Sequence, residues 1–127
     1  MVPLLVATRN IHKTEEIASI LGEGYNVSDL TALAEAPDVE ETGCTFLENA
    51  ELKALAISSM TRSLVLADDS GLEVDALGGR PGVYSARYAG PEAKDSENNA
   101  KLLSELEGVV KDGRTARFRC VMVLAED

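Results

Sequence analysis

Two runs of four apolar residues, Leu4 to Ala7 and Leu64 to Ala67, constrain the fold of this chain most. Each is too short for a buried helix and has no polar break, which is the pattern of a strand covered on both faces. Pro3 is tolerated at the start of the first run. Longer segments with helical spacing lie between and after them. Asn10 to Leu21 sets Ile11, Ile17, Ala18, Ile20 and Leu21 along a stripe, closed by Gly22 and Gly24. Thr45 to Met60 is the clearest helix. Thr45 followed by Glu48 matches a capping box, and Phe46, Ala50, Ala54 and Ile57 share one face. Tyr25 to Leu30 reads as a second strand and Leu72 to Val74 as a short one. Asp95 to Leu106 reads as a third helix, with Ala100, Leu102, Leu103 and Leu106 apolar. Thr115 to Leu124 reads as a final strand, alternating early through Ala116, Phe118 and Cys120. Thr31 to Gly43 is acidic, contains Pro37 and reads as mostly loop. Strands alternating with helices argue for an α/β fold with a partly parallel sheet.

The length of 127 residues suits one domain with a core of its own. Aliphatic side chains must fill that core, because the chain has two Phe, three Tyr and no Trp. The net charge of −10 lacks the basic footprint that non-specific nucleic-acid binding needs. A small anionic substrate remains compatible, since it needs only a local cluster of cations and amides. Cys44 and Cys120 form no C-x-x-C pair and are expected to be reduced and partly buried. No apolar stretch approaches the ~20 residues of a membrane helix, and no basic segment precedes the first apolar run, so a cytoplasmic protein without membrane attachment is expected. The chain stops directly after a strong strand. An edge strand there is usually covered or paired, which points to sequence continuing beyond Asp127; a plain C-terminal edge strand is the other reading.

Four constellations could carry chemistry. In L-A-D-D-S-G, Leu66 to Gly71, the strand ends in adjacent carboxylates, Asp68 and Asp69, with Gly71 as the turn. Adjacent negative charges stay ionised most easily around a cation, often a metal; a polar turn capping the strand is the other reading. Thr8 to Lys13, T-R-N-I-H-K, joins the first strand to the first helix. A helix N-terminus there suits phosphate, with Thr8 and Asn10 as hydrogen-bonding side chains and Arg9 and Lys13 as charges; an ordinary N-cap explains the same residues. The glycines of a Walker A loop are absent. Lys53 falls on the apolar face of its helix, either snorkelling to water or aimed as a cation into a site that Asn49 could share. Glu41, in the acidic stretch Glu35, Asp38, Glu40, Glu41, precedes the helix entry and could supply a further metal ligand; otherwise the stretch is a solvated loop. The loop Gly78 to Arg87 is conformationally specified by its glycines and Pro81, without revealing whether it binds or packs. His12 is the only histidine, and no Ser-His-Asp set or His-rich metal site can be assembled around it.

These segments together resemble the inosine triphosphate pyrophosphatase family, hydrolases of non-standard purine nucleoside triphosphates such as ITP, dITP and XTP. The resemblance is carried by T-R-N-I-H-K-T-E-E, by E-T-G-C-T-F-L-E-N-A-E-L-K-A, by A-D-D-S-G, by G-G-R-P-G-V-Y-S-A-R-Y and by N-N-A-K-L-L, in that order along the chain. It implies an α/β fold with a mixed central sheet flanked by helices, a homodimer, Mg²⁺ as cofactor, and cleavage of the triphosphate into monophosphate and pyrophosphate. By motif match, Thr8, Arg9, Asn10 and Lys13 would hold the triphosphate, helped by the backbone through Ile11 and His12. Lys53 would neutralise phosphate charge, Glu41 and Asp68 would bind metal, and Asp69 would be the general base close to that metal. Ser70 would touch substrate. Arg9 departs from the small residue often found at its position. The family also carries F-G-[YW]-D and S-H-R segments after the strand matching Arg117 to Leu124, and these hold and select the base. Neither occurs in residues 1–127. The resemblance therefore implies a single domain lacking its C-terminal part, with a catalytically silent fragment that only binds nucleotide and Mg²⁺, or dimerises, as the alternative.

Overall fold

In the computed structural model, residues 1–33 and 35–126 are described; Ala34, in the expected loop, and Asp127 lie outside them. The elements run β1 (Val2–Val6), α1 (Ile11–Leu21), β2 (Tyr25–Asp29), α2 (Phe46–Thr61), β3 (Val65–Val74), α3 (Asp95–Glu105) and β4 (Ala116–Ala125). Short 3₁₀ turns punctuate them, at Gly22–Gly24, Leu30–Ala32, Asp75–Leu77, Gly82–Arg87 and Lys111–Gly113. The sheet has the order β2-β1-β3-β4. β1 pairs in parallel with β2, from Val2 opposite Tyr25 to Val6 opposite Asp29, and in parallel with β3 at Leu5–Val65 and Val6–Leu66. Arg117 pairs with Asp75 and Arg119 with Glu73, so contacts advance along β4 as they retreat along β3, as an antiparallel pair requires. The sheet is thus mixed and the α/β expectation holds.

The residues divide into two compact units, Met1–Asp68 with Val121–Asp127, and Asp69–Cys120. The first unit holds an aliphatic core. Leu5, Ala7, Leu30, Ala54, Ile57, Val65 and Ala67 are buried together, and Leu33, Ala36, Val39, Val123 and Ala125 pack against them. The expected face of α2 is the one that packs: Phe46, Ala50, Ala54 and Ile57 are all buried. The helix entry is a capping box displaced by one residue. Thr45 Oγ1 accepts from Glu48 N at 3.1 Å, whereas the Glu48 carboxylate accepts from Cys44 N at 2.7 Å. Gly43 is obligatory in this entry, because a Cβ there would lie 2.6 Å from Glu48 Cβ and 2.7 Å from Asn49 Oδ1. Buried Asn49 accepts from Gly43 N at 2.7 Å and fixes the same turn. Arg62 ends α2 in the left-handed region with φ 52°.

In the second unit the buried apolar side chains among the described residues are Val74, Pro81 and Leu106, beside buried Asp69 and Asn98. Polar contacts carry more of the cohesion here. Asn98 accepts from Ala89 N at 2.8 Å and donates to Ala86 O at 3.1 Å, tying α3 to the preceding loop. Ser85 Oγ accepts from Leu72 N at 2.9 Å. Arg117 and Arg119 pair with Asp75 and Glu73 at 3.0 and 2.6 Å, and Thr115 Oγ1 donates to Asp75 at 2.7 Å.

Several local expectations fail for lack of a partner surface or because of non-local pairing. β3 does not stop at Ala67; it runs unbroken to Val74, absorbing the expected separate strand at 72–74, because β4 continues to pair where β1 has ended. Gly71 is therefore a strand residue and not a turn. In α1 only Ile17 is buried, while Ile11, Ile20 and Leu21 are exposed. In α3 the buried helical residue is Asn98, and Ala100 and Leu103 are exposed. Cys44 and Cys120 are both exposed, against the expectation of partial burial.

Candidate functional site

The β1–α1 connection is built by capping. Asn10, extended at φ −89°, accepts from His12 N at 3.0 Å, and Thr8 Oγ1 accepts from Asn10 N at 3.1 Å. The capping reading thus describes Asn10, and the His12 amide is engaged by that cap. Ile11 and His12 are the first exposed residues of α1. Thr14, one turn in, and Thr31 both donate hydroxyl hydrogen bonds to the buried Asp29 carboxylate at the end of β2. Those bonds, led by Thr14, together with the Thr31 amide hold the Asp29 carboxyl below its ordinary range despite its burial. Asp29 was not singled out in the sequence, although D-L-T is an Asx-turn spacing.

Around this connection the first unit encloses a cavity of about 250 Å³, lined by Ala7, Thr8, Arg9, Leu30, Pro37, Asp38, Val39, Glu41, Lys53 and Ile57. Its floor is core: Ala7, Leu30 and Ile57 are buried. Its rim is charged. Lys53, rising from the packed face of α2, has a side chain only 19% exposed and pairs with Glu41 at 2.9 Å. The lysine on the apolar stripe is therefore aimed into a cavity and held there by a carboxylate. Arg9 pairs with Asp38 at 3.0 Å and donates to Ala36 O at 3.0 Å, so one guanidinium holds the segment after β2 at two points.

Lys13 and Asp68 form a third pair, bidentate at 2.9 and 3.1 Å, outside the lining of that cavity. Asp68 lies just past Leu66, the last residue of β3 opposite β1, so it occupies the carboxyl end of the parallel pair even though its own strand continues. Asp69 follows it on the strand and is buried within the second unit; Ser70 is exposed. The structure thus brings Thr8, Arg9, Glu41 and Lys53 to one cavity, and Lys13 to Asp68. Asp38 in that cavity was read from sequence only as a member of a solvated loop.

The carboxylates fit a hard cation in kind. Glu41 and Asp68 are oxygen donors, each already facing an ammonium, which marks positions where positive charge is stable. Among the described residues no group of three or more His, Cys, Asp or Glu could enclose a metal. Carboxylate oxygens are donors of the kind magnesium takes, one or two at a time, with phosphate and water completing its shell. No helix among the described residues is long and apolar enough to cross a membrane.

The charged cavity of the first unit lies at the carboxyl ends of parallel strands β1 and β2, the place where open α/β sheets bind ligands. The Ham1 family profile matches residues 4–127, and the chain belongs to that family. It is 56% identical over 124 residues to a dITP/XTP pyrophosphatase of Streptococcus thermophilus, covering 96% of this chain and 38% of that protein. It is 53% identical over 126 residues to the dITP/XTP pyrophosphatase of Geobacillus kaustophilus, covering 98% of this chain and 62% of that one. Among solved structures, the HAM1 protein of Coxiella burnetii superposes with a TM-score of 0.91 at 41% identity over 100% of this chain and 64% of its own. The Staphylococcus aureus Ham1 protein gives 0.87 at 43%, over 98% and 64%. The chain therefore spans between about two fifths and two thirds of the length of these relatives.

Proposed function

We propose that this chain is the phosphate-handling part of a pyrophosphatase that hydrolyses ITP, dITP or XTP to the nucleoside monophosphate and pyrophosphate. One observation carries the reading: relatives named dITP/XTP pyrophosphatases match nearly its whole length at 53–56% identity. Lys53 neutralises phosphate charge in the cavity, and its low exposure strengthens that interaction. Thr8 supplies a hydroxyl and Arg9 a planar fork that fits phosphate oxygens. Lys13 adds a second ammonium, and Asn10 shapes the loop that presents these groups. Together the cations stabilise negative charge on the departing pyrophosphate. Asp69, assigned on its motif, takes the proton from the attacking water, with Ser70 beside it in sequence touching substrate. Glu41 and Asp68 would hold the magnesium, which when bound polarises the phosphate oxygens and offsets their charge. A homodimer and a cytoplasmic setting belong to the same reading and rest on the resemblance.

The alternative is nucleotide binding without turnover. Pyrophosphate release from ITP, XTP, ATP and GTP with Mg²⁺ separates the two. Release that prefers ITP or XTP and falls at least 100-fold in Asp69→Asn, the low end of a general base's contribution, supports the enzyme. Binding of ITP without release supports the alternative.

A further inference from the structure

Three cations of the first unit are each met by a carboxylate: Lys13 by Asp68, Lys53 by Glu41 and Arg9 by Asp38. The proposed function gives Asp68 and Glu41 a task in holding metal. It gives Asp38 none, yet Asp38 lines the cavity and faces the guanidinium that would receive phosphate. The pairs also differ in exposure. The Asp38 side chain is 94% exposed, whereas Asp68 is nearly buried. An exposed carboxylate on an arginine is a weak and exchangeable partner. A phosphate likewise offers two oxygens to the guanidinium fork, and carries more charge.

We infer that Asp38 is an internal competitor for Arg9, occupying the guanidinium in the unliganded cleft and thereby setting how tightly the cleft binds polyphosphate. This rests on the reading that phosphate binds at Arg9. Incoming polyphosphate must displace the Asp38 carboxylate, so affinity is reduced by whatever that pair is worth. The second bond of Arg9, to Ala36 O at 3.0 Å, keeps the guanidinium positioned when the carboxylate leaves. Asp38 is thus an affinity-setting residue and not a catalytic one.

Titration calorimetry of inorganic tripolyphosphate, without metal and at low salt, tests this on the whole chain. Asp38→Asn is expected to bind two- to fivefold more tightly than the unsubstituted chain, the range an exposed ion pair allows. Glu40→Gln, an equal charge change at an exposed neighbour outside the cavity lining, is expected to leave affinity unchanged. Arg9→Met is expected to weaken binding, and adding Asp38→Asn to it is expected to give no further gain. Unchanged or weaker binding by Asp38→Asn, or an equal gain from Glu40→Gln, overturns the inference while leaving the phosphate reading standing. A gain that persists without Arg9 overturns it too. Failure of the unsubstituted chain and of every variant to bind tripolyphosphate overturns both.

Discussion

The two units of this chain are held by different physics. Residues Met1–Asp68 with Val121–Asp127 bury a contiguous aliphatic cluster, and the cations of the cavity stand on its periphery. Residues Asp69–Cys120 bury little aliphatic surface and rely on Asn98, on Ser85 and on exposed ion pairs. Phe118 shows the contrast: on β4 in the second unit it is 83% exposed, whereas Ile57 on α2 in the first is 1% exposed. Hydrophobic burial is strong and nearly independent of salt and pH, whereas exposed pairs are weak and screened. A rigid platform for a charged site is therefore expected in the first unit, and lower local stability in the second.

The largest effect that sharpens this contrast is a pair of truncations. Ile57→Ala should cost about 3 kcal/mol, since it empties a packed position, whereas Phe118→Ala should cost under about 0.5 kcal/mol. Urea unfolding of the two variants measures both, and equal losses would break the comparison. Next in size is Asn98→Ala, which leaves the Ala89 amide and Ala86 carbonyl without their partner and should cost about 2 kcal/mol. Hydrogen exchange should show that loss as faster exchange from Ala86 through α3, with the amides of α2 retaining their protection.

The smallest effect is a pH dependence within the first unit. Asp29 titrates below its unfolded value, so its contribution is present above about pH 4 and is lost as pH falls through the folded value. Asp29→Asn should flatten the fall in stability as pH drops below about 4, measured by urea unfolding at a series of pH values. Equal slopes for the two proteins would remove Asp29 from the account.

What was legible in the sequence was local. The face of α2, its Thr45 cap and the strand character of β1 depend on spacing within a few residues, and the structure reproduces them. The position of Lys53 on that face was legible for the same reason. The end of β3 was not, because pairing with β4 across about forty residues of chain decides it. The stripes of α1 and α3 gave the helices correctly but not their burial, since periodicity records which residues align and not what lies opposite them. Arg9 and Asp38 are 29 positions apart, and nothing in a run of acidic loop residues distinguishes the one that returns to a cavity.

Lys53 carries the central claim, that the cleft of the first unit exists to neutralise a polyphosphate. The most direct measurement is calorimetric titration of ITP in the presence of Mg²⁺ into the unsubstituted chain and Lys53→Met, with thermal melts confirming that both are folded. Lys53→Met should bind at least tenfold more weakly, as loss of a charge-assisted contact of about 1.5–3 kcal/mol requires. Equal affinity in two folded proteins would contradict the claim.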